Sequence, residues 1–374
     1  MEAQKRNRNT FVIFVGSLKK GGVERFAAIL ANHLVSRDER VILLTFTDEV
    51  AFDLDGRVEK QIIDYRKFPI RFLNVIYVYF RLLGKVWSIR PKRLITLSRI
   101  AGLYASLTFF PKTIVMFDIY PLTGYRTYKK YQFLFCYNLP WVKYVVSCSQ
   151  ELKDDVIKYA LNKNKIPVIP YPVPKVDPSM YVNVEKLHPR PYFVVVARLN
   201  AQKNVDKVID TFVKQRFAER MDLLVLGDGP EMERISQQVR DLNAAASVHL
   251  KGFVRNPYAY IVQAYCLINA SMREGFPNVL IESLSLGTPV ISSLAKTGPR
   301  EIITDGLNGL QFSVGDYQTL GKLMARVTSD DAFYRHLKTN TNAGLDRYTM
   351  SKVMGAWDEI LGIKAGNQAN PSGV

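Results

Sequence analysis

Cysteine, histidine and long apolar runs are all scarce in this chain of 374 residues. Three cysteines, Cys136, Cys148 and Cys266, are too few and too scattered for a disulfide framework, and none sits in a Cys-x-x-Cys or Cys/His cluster that would read as a zinc site. Reduced cytoplasmic thiols are the expectation. Four histidines, His33, His188, His249 and His336, leave little of the usual acid–base equipment. The first apolar run, Phe11 to Val15, is too brief for a signal-peptide core or a membrane span. It reads as a polar lead-in followed by a strand. Repeats and low-complexity tracts are absent as well.

Acidic residues are missing mainly from one half. The net charge of +17 divides as 28 Lys/Arg against 14 Asp/Glu over residues 1–170, and 23 against 20 over the remainder. Basicity belongs to the first half. Between Arg57 and Lys143 there are 16 basic and 3 acidic side chains, and residues 65–144 hold 20 of the 43 aromatics. That is the composition of a membrane-interface or polyanion-binding face. The stretch from Phe68 to Arg90 is apolar nearly all round yet carries Arg71, Arg81, Lys85 and Arg90, which argues against a spanning helix. Either it is a buried domain helix with snorkelling ends, or it lies among lipid headgroups. A second basic aromatic segment, Tyr125 to Tyr144, favours an anionic membrane surface for the domain as a whole.

A length of 374 residues suggests two domains. Apolar runs bounded by turn signals alternate with longer amphipathic segments, the βαβ rhythm of a parallel sheet covered on both faces. Strands are expected near 11–15, 41–46, 94–97, 113–117 and 144–148, then near 192–197, 222–226, 247–250, 267–270 and 289–292. Between the two sets, Pro167, Pro170, Pro172, Pro174, Pro178, Pro189 and Pro191 interrupt the rhythm. The expected fold class is α/β, with two Rossmann-like, doubly wound domains facing a central cleft. The expected division is residues 1–170, a linker over 171–191, a second domain over 192–348, a helix over 349–364 and a polar tail over 365–374.

Chemistry concentrates at the ends of particular strands. Gly21-Gly22-Val23-Glu24-Arg25 follows the first strand, where open α/β sheets bind ligands; Glu24 and Arg25 read as orienting this loop. Arg198 and Lys203 follow the strand at 192–197. Two cations there can stabilise charge gathering on a departing diphosphate, one as a fork and one as a point charge, and so replace a metal. No Asp-x-Asp signature suited to a Mg²⁺–diphosphate site accompanies them. Glu274 lies in a loop, Gly275 and Pro277 break and restart the backbone, and a short helix begins at Asn278, Val279 and Leu280 and carries Glu282. Unpaired N–H groups at that helix start suit a diphosphate, and the flanking carboxylates can accept hydroxyl hydrogen bonds.

These motifs, in this order, resemble the retaining glycosyltransferases of the GT-B fold, glycosyltransferase family 4 / group 1 type, which include bacterial lipopolysaccharide, O-antigen, capsule and exopolysaccharide enzymes. The likeness is carried by Arg273-Glu274-Gly-Phe-Pro-Asn-Val-Leu-Ile-Glu282 as an E-x7-E motif, by Gly21-Gly22, by Arg198-Leu-Asn-Ala-Gln-Lys203-Asn204, by Leu226-Gly-Asp-Gly-Pro230, and by Gly298-Pro-Arg-Glu-Ile302 with Asp305-Gly-Leu-Asn-Gly309. It implies that Glu274, with the backbone of Gly275 and Phe276, faces the transferred sugar, that Glu282 holds the ribose, and that Lys251-Gly252-Phe253-Val254 and Gly227 line the nucleotide site. It further implies a hexosyltransferase without cofactor or metal, acting on a nucleotide sugar, first of all a UDP-sugar, and a lipid-linked glycan acceptor. The enzyme would be cytoplasmic and peripheral at the inner face of the membrane, with its last helix crossing back to the first domain. Retention would follow from acceptor attack on the face the leaving group departs.

The sequence departs from that family at one place. Where a histidine is common, Val115-Met-Phe-Asp118-Ile-Tyr120 stands instead; Asp118 either contacts a substrate hydroxyl or caps a strand end. Other readings remain at this stage. A nucleotide-sugar epimerase or a sugar phosphorylase would share the fold, though the shortage of histidine opposes an epimerase. A nucleic-acid-binding protein would share the pI near 9.6, but the basic half is aromatic and apolar, and no nucleic-acid partner is expected.

Overall fold

A computed structural model describes residues 9–19, 21–65, 68–110, 114–118, 127–158, 160–173 and 185–363. Two compact units are present, residues 1–171 together with 351–374, and residues 172–350.

The first unit is built on a parallel sheet of β1 (Thr10–Phe14), β2 (Arg40–Thr45), β3 (Glu59–Ile62), β4 (Arg93–Thr96), β5 (Ile114–Asp118) and β6 (Val142–Ser147), in the order β3-β2-β1-β4-β5-β6. Each inner strand is a nearly continuous apolar run. Phe11, Val12, Ile13 and Phe14 are all wholly buried, as they must be in a strand covered on both faces. The helices are α1 (Gly22–Ser36), α2 (Arg71–Ile89), α3 (Arg99–Ser106), α4 (Thr127–Asn138) and α5 (Gln150–Ile157). Ser98 and Ser149 cap α3 and α5 by accepting from the N–H groups of Ala101 and Leu152.

The second unit repeats the plan with β7 (Tyr192–Val196), β8 (Asp222–Leu226), β9 (Val248–Gly252), β10 (Cys266–Asn269), β11 (Val290–Ser293) and β12 (Gly309–Phe312). Its order, β12-β11-β10-β7-β8-β9, is the first sheet's order read from the other edge. Both sheets therefore reverse direction beside their own first strand, between β1 and β4 and between β7 and β10. Such switch points open a crevice at the strand C-termini. The helices here are α6 (Val205–Lys214), α7 (Met232–Asp241), α8 (Tyr258–Gln263), α9 (Asn278–Ser285), α10 (Pro299–Ile302), α11 (Tyr317–Ser329) and α12 (Asp331–Thr339).

All ten expected strands are found, and two more, β3 and β12, complete the sheets. Both are edge strands of four residues, Glu-Lys-Gln-Ile and Gly-Leu-Gln-Phe, in which polar residues interrupt the apolar run that marks the other strands.

The last helix, α13 (Met350–Leu361), belongs to the first unit from Ser351 onward. Trp357 is wholly buried with its ring centroid 5.6 Å from that of Phe26 on α1. Beside it, Asp358 accepts from Arg37 Nη2 at 2.8 Å and is joined to His33 Nε2 at 2.7 Å. A carboxylate so buried is stable there because His33 on α1 and Arg37 just after it compensate it. Trp357→Ala should destabilise the first unit by about 3–5 kcal/mol, read as a lowered denaturant midpoint with α1 amides losing hydrogen-exchange protection.

Candidate functional site

The second sheet's switch point brings together what the sequence separates by 71 residues. The strand β7 ends at Val196, and Arg198 follows it exposed, with no side-chain partner among the described residues. One short 3₁₀ turn later, Lys203 points Nζ at Glu274, 2.7 Å from Oε1 and 2.9 Å from Oε2. Glu274 lies in the loop after β10 and is only 6% exposed. A buried carboxylate without a partner would be costly, and Lys203 supplies that partner. Lys203 retains one N–H donor beyond the two that Glu274 accepts.

Backbone contacts hold this pair rigid. Gln202 accepts from the Met272 N–H at 2.9 Å through its carbonyl and donates from Nε2 to the Arg273 carbonyl at 2.6 Å. Asn204, in the left-handed region at φ 50°, donates to the Ala270 carbonyl at 3.0 Å. The loops after β7 and β10 are thus laced together by both backbone and side chains.

Two glycines lock the same loop from the other side. A Cβ on Gly227 would stand 1.8 Å from the Ala197 carbonyl oxygen, and one on Gly229 would stand 2.2 Å from that of Leu199. Their lack of a side chain lets the turn after β8 lie directly on the segment carrying Arg198. Hydrogen bonds from Leu199 N–H to Asp228 O (3.0 Å) and from Glu231 N–H to Leu199 O (3.1 Å) close the contact. Gly227 thus packs directly on the backbone that leads into Arg198. Val254 follows β9 partly buried, beside an exposed Phe253.

The segment Glu274-Gly275-Phe276-Pro277 is clamped by residues whose role the sequence did not announce. Thr297, at φ 68°, donates its hydroxyl to the carbonyls of Glu274 and Gly275. Gly298, at φ 102°, lies so close to Pro277 that a Cβ would meet its ring at 2.4 Å. The signal available was the string Thr297-Gly298-Pro299, which reads as a turn. Phe276 is buried against Tyr348, 5.9 Å between ring centroids.

From there α9 begins, with Pro277 as its cap and no side-chain acceptor at its start. The Asn278 N–H is taken by the Phe276 carbonyl and that of Leu280 by the Pro277 carbonyl, at 3.0 and 2.9 Å. The Val279 N–H has no acceptor among the described residues, so one of the three expected donors is open as the loop stands. Asn278 Oδ1 is buried without a hydrogen bond. Glu282 lies in the second turn of α9, 7% exposed, and Leu280 is wholly buried. The Asp305–Gly309 motif is scaffold: Asn308 Nδ2 donates to the carbonyls of Ile302 and Ala343, and Gly309 packs on Val290.

In the first unit, Gly21 caps α1 at φ 128° and Gly22 is its first residue. Glu24 folds back over Gly21, its Oε2 occupying the space a Cβ there would need, and burial raises its carboxyl above the ordinary range. Asp118 ends β5, but its side chain lies outside the described residues. In the string Asp53-Leu54-Asp55, Asp55 accepts from Arg57 Nε and Nη2, which brings its carboxyl down to about 2.

Two family models match the chain in tandem. "Glycosyltransferase Family 4" covers residues 20–175 and "Glycosyl transferases group 1" covers 182–343. The chain belongs to this family of GT-B glycosyltransferases. Among relatives, it is 34% identical over 156 residues to an uncharacterized glycosyltransferase of Methanocaldococcus jannaschii, a match spanning 39% of this chain and only 38% of that one. It is 25% identical, over 91% of this chain and 96% of the other, to the Campylobacter jejuni N-acetylgalactosamine-N,N'-diacetylbacillosaminyl-diphospho-undecaprenol 4-alpha-N-acetylgalactosaminyltransferase. Its fold is that of HepE of Anabaena in complex with UDP and glucose, with a TM-score of 0.79 at 16% identity, covering 95% of this chain and 100% of that chain.

Because the Gly227 contact is backbone on backbone, it leaves no room to adjust. Gly227→Ala in this glycosyltransferase should cost at least about 2 kcal/mol of stability and weaken nucleotide binding, measured by unfolding and by calorimetric titration with UDP.

Proposed function

We propose that this glycosyltransferase moves a hexose from a nucleoside-diphosphate donor, a UDP-sugar, to a lipid-linked glycan in lipopolysaccharide or related cell-surface polysaccharide biosynthesis. The observation that carries this reading is the Lys203–Glu274 pair at the second sheet's switch point, with exposed Arg198 beside it. As the bond between anomeric carbon and diphosphate oxygen breaks, charge accumulates on the phosphates. Arg198 and the remaining Lys203 donor meet that charge, with Val279 N–H at the positive end of α9. Glu274 accepts from hydroxyls of the hexose, and Glu282 accepts from the ribose. Two cations, Arg198 and Lys203, do the work of a divalent metal, so the transfer needs none. The acceptor hydroxyl attacks the face from which the diphosphate leaves, and configuration is retained. The Gly21-Gly22 loop lets backbone approach the donor diphosphate and the acceptor, and Asp118 contacts a substrate hydroxyl.

Support for a UDP-sugar and a lipid-linked acceptor comes from the relatives: HepE is seen with UDP and glucose, and the C. jejuni transferase is named for a diphospho-undecaprenol substrate.

The first unit supplies a membrane-docking face in this reading. The helix α2 buries Val78, Leu82 and Val86 against its sheet and exposes Phe72 (68%), Phe80 (61%) and Trp87 (48%). Its segment Phe72–Ile89 is long and apolar enough to cross a membrane by length and composition. Yet a spanning role would strand Arg81 and Lys85 in lipid. Lying in the interface instead puts its rings among acyl chains and its cations at the phosphates. Arg81 and Lys85 line an open cavity of about 350 Å³ with Gln61, Phe80 and Ser88, and Lys85 donates to Gln61 at 2.6 Å.

A panel of UDP- and GDP-sugars tested for protection against thermal unfolding identifies the donor, since only a bound donor raises Tm by mass action. A UDP-sugar should protect wild type and fail to protect Glu282→Ala at the same concentration. Lys203→Ala should lower kcat more than it raises the donor KM, and EDTA should leave the initial rate unchanged; activity lost in EDTA and restored by Mg²⁺ or Mn²⁺ would refute the two-cation account. Anionic liposomes should sediment wild type and release the Phe72→Asp/Phe80→Asp double variant, whereas tight binding to duplex DNA without liposome binding would overturn the membrane assignment.

A further inference from the structure

The edge of the second sheet opposite the donor site holds a cluster that glycosyl transfer does not use. His188 precedes β7, Asp222 is the first residue of β8, and His249 is the second residue of β9. Their donor atoms lie within 4.8 Å of one another. Both imidazoles aim Nε2 at the same oxygen, Asp222 Oδ2, at 2.5 Å from His188 and 3.1 Å from His249. His188 and Asp222 are buried at 7% and 2% exposure, while the His249 side chain is 27% exposed and gives a path inward. On the far side of the carboxylate, Arg190 Nη1 approaches Oδ1 at 2.8 Å in a geometry that supplies charge but no hydrogen bond.

We propose that His188, Asp222 and His249 bind one Zn²⁺ ion, with a water in the fourth position. Two imidazole nitrogens and one carboxylate oxygen form a donor set suited to zinc. Zinc–ligand bonds of about 2.0–2.2 Å set tetrahedral ligands about 3.3 Å apart. The two nitrogens thus need to retreat from Oδ2 by less than about 1 Å to admit the ion. Ligation needs each Nε2 lone pair free, so the neutral rings of the bound form carry their protons on Nδ1. Arg190 orients the ligating carboxylate through its other oxygen, the usual work of an outer partner, and the Tyr192 ring lies perpendicular to that of His188, 5.6 Å between centroids. The ion would fasten the segment entering β7 to the starts of β8 and β9. Its role is to stabilise the second unit, so it is independent of the metal-free transfer proposed above.

The test uses the full chain without a histidine tag. After exhaustive dialysis and Zn²⁺ loading, elemental analysis should give one equivalent of zinc. Co²⁺ substituted for it should show the visible absorption bands of a tetrahedral site. Saturating Zn²⁺ should raise Tm by about 5 °C or more, while initial transfer rates well below Tm stay unchanged. His249→Ala, the most exposed of the three positions, should abolish the Co²⁺ bands and the Zn²⁺-dependent shift. Substoichiometric zinc with no Co²⁺ bands in wild type would overturn the proposal and leave a hydrogen-bonded triad. Bands or a shift that persist in His249→Ala would overturn it too, by placing the ion elsewhere; should that variant fail to fold, the wild-type stoichiometry and spectrum decide alone.

Discussion

A carboxylate excluded from water must be compensated, and around Glu274 that requirement organises the second unit. Its partner, Lys203, comes from a loop 71 residues earlier in the chain, so the ion pair forms only when β7 and β10 lie side by side. Everything nearby serves to keep that meeting reproducible. The carbonyls of Ala270 and Arg273 and the N–H of Met272 are tied to the Gln202–Asn204 turn, and Thr297 holds the backbone of Glu274 itself. The pair is worth more as a fixed arrangement of charge than as a source of stability, since burying both partners costs much of what their attraction returns.

Several motifs that resemble ligand-binding signatures also make backbone contacts of their own. Gly227 and Gly229 make room for another stretch of backbone, and Asn308 closes the turn ahead of β12 by satisfying two carbonyls. This is an indirect way of shaping a binding site. The residues that would touch a nucleotide are displayed by loops, and the loops are held by glycines and amides that touch one another.

The fold was legible because interior strands of parallel sheets are covered on both faces and read as apolar runs, as in Leu223-Leu-Val-Leu226. Two of the four edges, β3 and β12, were not, because Glu59, Lys60 and Gln61 in one and Gln311 in the other interrupt the apolar run. Of the candidate site, Glu274, Lys203 and the start of α9 were visible as motifs. The left-handed Thr297 was hidden, since a strained φ leaves no mark in composition. The grouping of His188 with Asp222 and His249 was hidden as well. Those residues are 34 and 27 positions apart and become neighbours only through the order in which strands are laid into the sheet.

The placement of Trp357 has a consequence in time. The first sheet is synthesised before the whole second unit, yet the helix that covers Phe26 emerges after it. During translation the nascent first unit presents an uncovered apolar face and an unpaired Arg37 for as long as it takes to make some 180 further residues, about 10–40 s at ordinary elongation rates. A chaperone that recognises exposed aromatic surface would meet this chain in that interval, and substitutions in the last helix would act on yield in the cell before they acted on the finished enzyme.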